Sequence, residues 1–220
     1  MQPSQLSLVD WRRQVNEMYA AVRDDPDHER AHRRWRRDRD RLFREHPQTP
    51  LLEDDPLRET GLPYWPYDPA MRFEAPLLPA ESQDPEDSRR EAPGASSASE
   101  DDRVFQAGED GELVMQLIGR VELPESIGGS LDVWWMRQYG GGIFLPLRDG
   151  TAGDGSYGAG RYVLDTAKGS WLGGADDRLV LDLNFAYHPS CRYNPRWICP
   201  LAPPGNTITA RVEAGEKLEP

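Results

Sequence analysis

Eight polar side chains in the C-terminal half of the chain have the types and surroundings to do chemistry: Arg148, Asp149, Tyr157, Arg161, Asp182, Asn184, Tyr187 and Asn206. They crowd around glycine turns, where backbone without a Cβ lets a ligand approach closely. In such a site the arginines would hold an anion, and Asp149 or Asp182 would serve as a base. The expectation is a site for a small polar molecule, with or without a reaction performed on it. The alternative is a non-enzymatic interaction module, in which an arginine-rich helix and an aromatic segment at 62–67 dock a partner or a second copy. Between 181 and 186, alternation puts Leu181, Leu183 and Phe185 on one face of a strand and Asp182, Asn184 and Ala186 on the other. That second face either lines a pocket or meets water.

Other motifs are weaker. Gly153 to Gly160 contains GxGxxG, but Arg161-Tyr162-Val163-Leu164-Asp165 follows as strand, not as the helix N-terminus that a phosphate-cradling loop needs. A glycine-rich turn is the better reading. Neither a GxSxG elbow nor an HExxH pair occurs, and His28, His32, His46 and His188 have no catalytic spacing. Cys191 and Cys199 enclose seven residues; zinc, a disulfide and buried free thiols are the readings open to them. Free thiols, packed as small hydrophobes, are favoured. No cofactor and no metal centre are expected.

The elements that must position these residues follow from periodicity. Leu8, Trp11, Val15, Met18 and Val22 recur at steps of three and four, which predicts a helix over 7–23 begun by Ser7 with Asp10. Asp24-Asp25-Pro26-Asp27 breaks it and caps a second helix running to His46-Pro47, with Ala31, Trp35 and Leu42 or Phe43 as a thin apolar stripe. Arginines 30, 33, 34, 36, 37, 39, 41 and 44 on that helix alternate with acids, which fits a solvated face with internal ion pairs. Six prolines between 47 and 70 predict an extended wrapping segment, and Met71 to Leu78 one edge strand. Further strands are expected at 104–107, 113–122, 131–138, 143–147, 161–165 and 179–185.

The fold class expected is therefore mainly β, an antiparallel sandwich or small barrel with two N-terminal helices packed on it. The divisions are 1–78, a helical arm and proline/aromatic wrapping segment; 79–103, a disordered acidic linker; and 104–220, the β domain. Residues 79–103 contain no Ile, Val, Leu, Phe, Trp or Tyr, so nothing there offsets the entropy of ordering.

The chain has 220 residues and a net charge of −12. An acidic balance argues against nucleic acid and anionic membrane as partners, both of which need clustered positive charge. No apolar run reaches the ~18 residues of a membrane span, and the N-terminus meets charge too early for a signal peptide. A soluble, cytoplasmic protein is expected, its two cysteines suiting a reducing compartment; its oligomeric state is left open.

Several stretches resemble a known family. Tyr139-Gly140-Gly141-Gly142-Ile143-Phe144-Leu145-Pro146-Leu147-Arg148-Asp149, the segment 156–169 with its YGxGRY motif, and 179–206 with FAYxPxC and CPLxPPxN are similar to the prokaryotic domain-of-unknown-function family 1684. So are 210–218 and, in the helical arm, Trp35, Arg36, Arg39, Asp40, Leu42, Phe43, His46 and Pro47. The resemblance covers most of the chain outside 79–103. It implies a β-rich domain and no established activity, substrate or catalytic residue. His188 stands where the family more often has Asn, and Leu183 where Phe is usual, so no family role is carried onto His188.

Overall fold

A computed structural model describes residues 3–79, 102–106 and 112–219. Residues 80–101, the bulk of the segment expected as a linker, lie outside them.

Helix α1 (Gln5–Arg23) begins two residues earlier than expected, because Ser4 and not Ser7 caps it. The Ser7 amide donates to Ser4 Oγ at 3.2 Å and the Ser4 amide donates to Ser7 Oγ at 2.8 Å, a reciprocal capping box. Helix α2 (His28–Glu45) starts at the expected cap, with Asp27 accepting from the Arg30 amide at 2.9 Å. Its outer face carries exposed ion pairs such as Arg33–Glu29 and Arg41–Asp38. Its inner face buries Ala31, Trp35, Leu42 and Phe43. A thin stripe of this kind holds a helix only when something larger covers it. Here the cover is Tyr19 and Val22 of α1, Phe185 of the β domain, and the wrapping segment, which contributes Leu51, Leu57 of the short helix α3 (Leu57–Thr60), Leu62 and Tyr64. The aromatic segment thus gives Leu62 and Tyr64 to the chain's own core.

The strands form two antiparallel sheets. The smaller joins β1 (Arg72–Pro76), β8 (Arg178–Asp182) and β7 (Gly174–Ala175) in the order β1-β8-β7. The larger runs β2 (Asp102–Gln106), β3 (Glu112–Glu122), β4 (Ser130–Met136), β5 (Ile143–Leu147) and β6 (Arg161–Asp165) in chain order. Two bridges tie the sheets together: Leu78 and Arg120 exchange backbone hydrogen bonds at 2.8 Å, and Tyr162 of β6 pairs with Tyr187 beyond β8. No closed barrel results. One apolar core, including Ala75, Leu179 and Leu181 from the smaller sheet and Val121, Val133, Leu145 and Val163 from the larger, lies between them.

The strand expected over 179–185 stops at Asp182. Leu183–Phe185 instead make a short 3-10 turn whose cap is the Asp182 carboxylate, accepting from the Asn184 amide at 3.0 Å. Asp182 and Asn184 therefore share no strand face, and both are wholly buried. The glycine-rich stretch is a turn, as expected. Gly160 has φ +93°, and a Cβ there would stand 2.6 Å from the Leu147 carbonyl oxygen, so only glycine lets the chain enter β6 this close to β5.

Candidate functional site

The eight side chains singled out by sequence are not gathered around one cavity. They fall into separate networks, most of them satisfied within the fold. Arg148 is exposed and donates through Nε to the Gly158 carbonyl at 3.0 Å. Asn206 accepts from Trp134 Nε1 at 2.9 Å and donates to the carbonyls of Asp132 and Pro146 at 2.7 and 3.0 Å, a three-way brace between β4 and β5. Asn184 bonds both backbone groups of Asp68, at 2.9 and 2.8 Å, and so anchors the wrapping segment. The Tyr157 amide donates to His188 Nε2 at 3.1 Å.

Asp149 and Arg161 meet at 3.0 Å with no solvent exposure on either side chain. The role of base expected for Asp149 is not open to it, because its oxygens also accept from the Thr151 amide and hydroxyl and, at 2.7 Å, from the Val212 amide. Arg161 donates onward to the carbonyls of Val212 (2.9 Å), Ala214 and Glu216 (3.2 Å). The pair clasps the C-terminal segment. The end of that segment continues the network: Glu216, fully buried, accepts from Arg39 of α2 at 3.1 Å, from the His188 amide at 2.9 Å and from the Tyr193 hydroxyl. Burial works to raise the Glu216 pKa, but the charge of Arg39, with the hydrogen bond from the His188 amide, outweighs it and holds the carboxyl below its usual range. Burial pulls His188 down, and its Nε2 accepts the Tyr157 amide, so the neutral ring keeps its proton on Nδ1.

Asp182 keeps a titratable carboxyl in a second place. It borders a small cavity of about 40 Å³ with Arg23, His28 and Arg72, and burial pushes its pKa up to about 6. Among the described residues, no group of three or more His, Cys, Asp or Glu side chains is arranged to hold a metal ion. Cys191 and Cys199 are free thiols, each partly exposed.

The cavity with unspent chemistry lies where the two helices meet the β domain. It has a volume of about 60 Å³, and its walls include Tyr19 of α1, Trp35 and Arg39 of α2, Lys168 and Ser170 after β6, and Tyr187. Three side-chain atoms on it, Tyr19 Oη, Trp35 Nε1 and Ser170 Oγ, are buried and make no hydrogen bond of good geometry among the described residues, although the Tyr19 hydroxyl lies near the other two and Ser170 also lies near Tyr187. Such groups cost on the order of 1–3 kcal/mol each if left unmatched. Arg39 is fixed beside them. Its guanidinium lies 4.3 Å from the Phe43 ring centroid and 4.9 Å from that of Tyr187, Nε donates to the Tyr64 hydroxyl at 3.0 Å, and Nη2 is on Glu216. Lys168, half-exposed, reaches in from the rim and pairs with Asp165 at 3.2 Å. Burial pushes Tyr19 up to about 12 and raises Tyr187 well above the usual phenol value, so both phenols keep their protons as donors.

Only Tyr187 of the eight lies on this cavity. Sequence reading placed Arg39 on a solvated helix face, yet its position carried a signal: it follows Trp35 by four and precedes Phe43 by four, so it sits on the apolar stripe itself. An arginine on a buried stripe needs a counter-charge, and its burial against Glu216 supplies one. For Tyr19, Lys168 and Ser170 the sequence offers no comparable signal.

The sequence profile of a family described as "Protein of unknown function (DUF1684)" matches residues 59–217. The chain belongs to that family. The DUF1684 span contains Lys168, Ser170 and Tyr187 of the cavity and Glu216 behind it, whereas Tyr19, Trp35 and Arg39 precede it. One solved structure extends the likeness: the NMR structure of an uncharacterised protein of Haloarcula marismortui is similar at 28% identity and TM-score 0.58, over 90% of this chain and 97% of that one. Its coverage reaches beyond the DUF1684 span. No curated protein matches. No helix among the described residues is long and apolar enough to cross a membrane.

Proposed function

We propose that the cavity between the helical arm and the β domain binds a small oxygen-rich molecule, with a carboxylate as the group that fits best. The observation that carries the reading is the convergence of Tyr19 Oη, Trp35 Nε1 and Ser170 Oγ, all buried and none in a well-formed hydrogen bond, on one cavity beside Arg39. Trp35 Nε1 and Arg39 Nη1 can only donate, and the hydroxyls can turn to donate, so the complementary ligand presents acceptors. A carboxylate or similar oxyanion offers several lone pairs in little volume and forms the stronger, charge-assisted bonds. The rings of Trp11, Trp35 and Phe43 around the polar atoms exclude water and strengthen such contacts. Arg39 is held rigid by Glu216 and Tyr64, so binding does not have to order it. The His188 ring nitrogens and the Asp149 oxygens are engaged internally, so the reading is of binding and assigns no reaction.

The test uses the Trp35 indole N–H as a reporter. Acetate, formate, phosphate and sulfate are titrated into 15N-labelled protein. A saturable shift of the Trp35 Nε1–H resonance is expected for at least one of them, weakened about tenfold in Ser170→Ala. No movement of that resonance at millimolar concentrations of any of the four would sink the reading.

A further inference from the structure

The loop that closes against the cavity rim carries a second chemistry. Cys191 and Cys199 stand on either side of a seven-residue loop, and the Cys191 amide N–H donates to Cys199 Sγ at 3.3 Å. That contact brings the two cysteines together across the base of the loop. The loop is held in shape by turns, with Tyr193 and Asn194 amides on the Ser190 carbonyl and the Trp197 amide on that of Asn194, each at 3.1 Å. Tyr193 is buried against Phe43 and bonded to Glu216, so both cysteines leave a fixed frame. Neither is sealed in: both are partly exposed, within reach of a small reagent.

We propose that Cys191 and Cys199 form a reversible dithiol–disulfide couple that reacts with low-molecular-weight disulfides, Cys199 attacking and Cys191 resolving. The environments of the two sulfurs differ in the sense this requires. Cys199 receives the Cys191 thiol and amide as donors and lies near the charge of Lys168, all of which favour its thiolate; the same contact and burial keep Cys191 protonated. In the first step the Cys199 thiolate attacks one sulfur of RSSR, an S–S bond forms to Cys199, and RS⁻ leaves. In the second, Cys191 gives up its proton and attacks Cys199 Sγ, the mixed disulfide breaks, and a second RS⁻ leaves. Two electrons pass from the dithiol to the small disulfide, and the protein loses two hydrogens. The couple does not depend on the carboxylate reading of the neighbouring cavity.

Intact mass spectrometry of the full chain with glutathione disulfide tests it. The expected result is a loss of two hydrogens, with residues 191–199 refusing iodoacetamide until dithiothreitol restores both thiols. In the untreated protein at neutral pH, limiting iodoacetamide labels Cys199 at least about tenfold faster than Cys191. Cys191→Ser traps one glutathione on Cys199, and Cys199→Ser takes it at least about tenfold more slowly. Two thiols that stay alkylatable after excess glutathione disulfide, or equal labelling of the two cysteines, overturn the proposal. The wild-type measurements decide even where a variant fails to fold.

Discussion

Arg39 of α2 and Glu216 of the C-terminal segment, 177 positions apart, meet at 3.1 Å with the Glu216 side chain fully enclosed. A buried pair of this kind is expensive to break on one side, because the remaining charge is left without a partner. Glu216→Gln preserves shape and strands Arg39, and should cost about 3–5 kcal/mol in urea unfolding. Adding Arg39→Met to it should cost less than the two single effects summed, with a coupling above about 1 kcal/mol. Additive losses would show that the two side chains contribute independently.

Asp182 sets a pH dependence. Its folded pKa, about 6, stands above the ordinary carboxylate value of 3.8. The native state therefore holds the proton more tightly, and the resulting stabilisation is complete below pH ~4 and is lost as pH rises through 6. Asp182→Asn can still accept the Asn184 amide through its Oδ1 but never ionises. Measured against wild type, it should gain stability steadily between pH 4 and 7, by roughly 2 kcal/mol, and show a flat difference above that. A difference that does not change with pH would contradict the burial assigned to this carboxyl.

At Gly160 a side chain meets both a left-handed backbone and the Leu147 carbonyl. Gly160→Ala should cost about 2 kcal/mol or more, read as a lowered Tm. Gly158 is the control in the same turn: its Cβ would come no nearer than 3.9 Å to anything, and Gly158→Ala should shift Tm little.

Ser170 separates binding from folding. Its hydroxyl is buried without a well-formed hydrogen bond, so Ser170→Ala removes a poorly matched group and should leave stability unchanged or raise it by up to about 1 kcal/mol. Affinity for the small carboxylate should fall at the same time. A variant that loses stability would mean that the hydroxyl already has a structural bond.

The parts of this fold legible in the sequence are those with a one-dimensional period. The steps of three and four marked both helices, and the strands at 143–147 and 161–165 begin and end at the residues expected from their strand-like content. Alternation misled at 181–186 because both sides of that segment are buried, so a strand and a 3-10 turn leave the same polar and apolar order. The candidate site was less legible. Its polar atoms come from α1, α2 and the loop after β6, and what singles them out is the lack of a well-formed hydrogen bond, a property of three dimensions. Residues chosen for polarity near turns, such as Asn206 and Arg161, proved to be fasteners for backbone carbonyls.

The C-terminal segment has a consequence for biosynthesis. Arg39, Arg161 and His188 all reach partners among residues 212–216, which leave the ribosome long after the arm and after the strands they join. Until those residues emerge, a nascent chain holds the Arg39 guanidinium without its counter-charge and a helical arm without its lock. Vectorial assembly from the N-terminus is therefore disfavoured, and docking of the arm should coincide with the arrival of Glu216 as one late, cooperative event. A chain stalled before that point leaves Arg39 unpaired where the arm meets the β strands, and it is in this interval that a chaperone has something to hold.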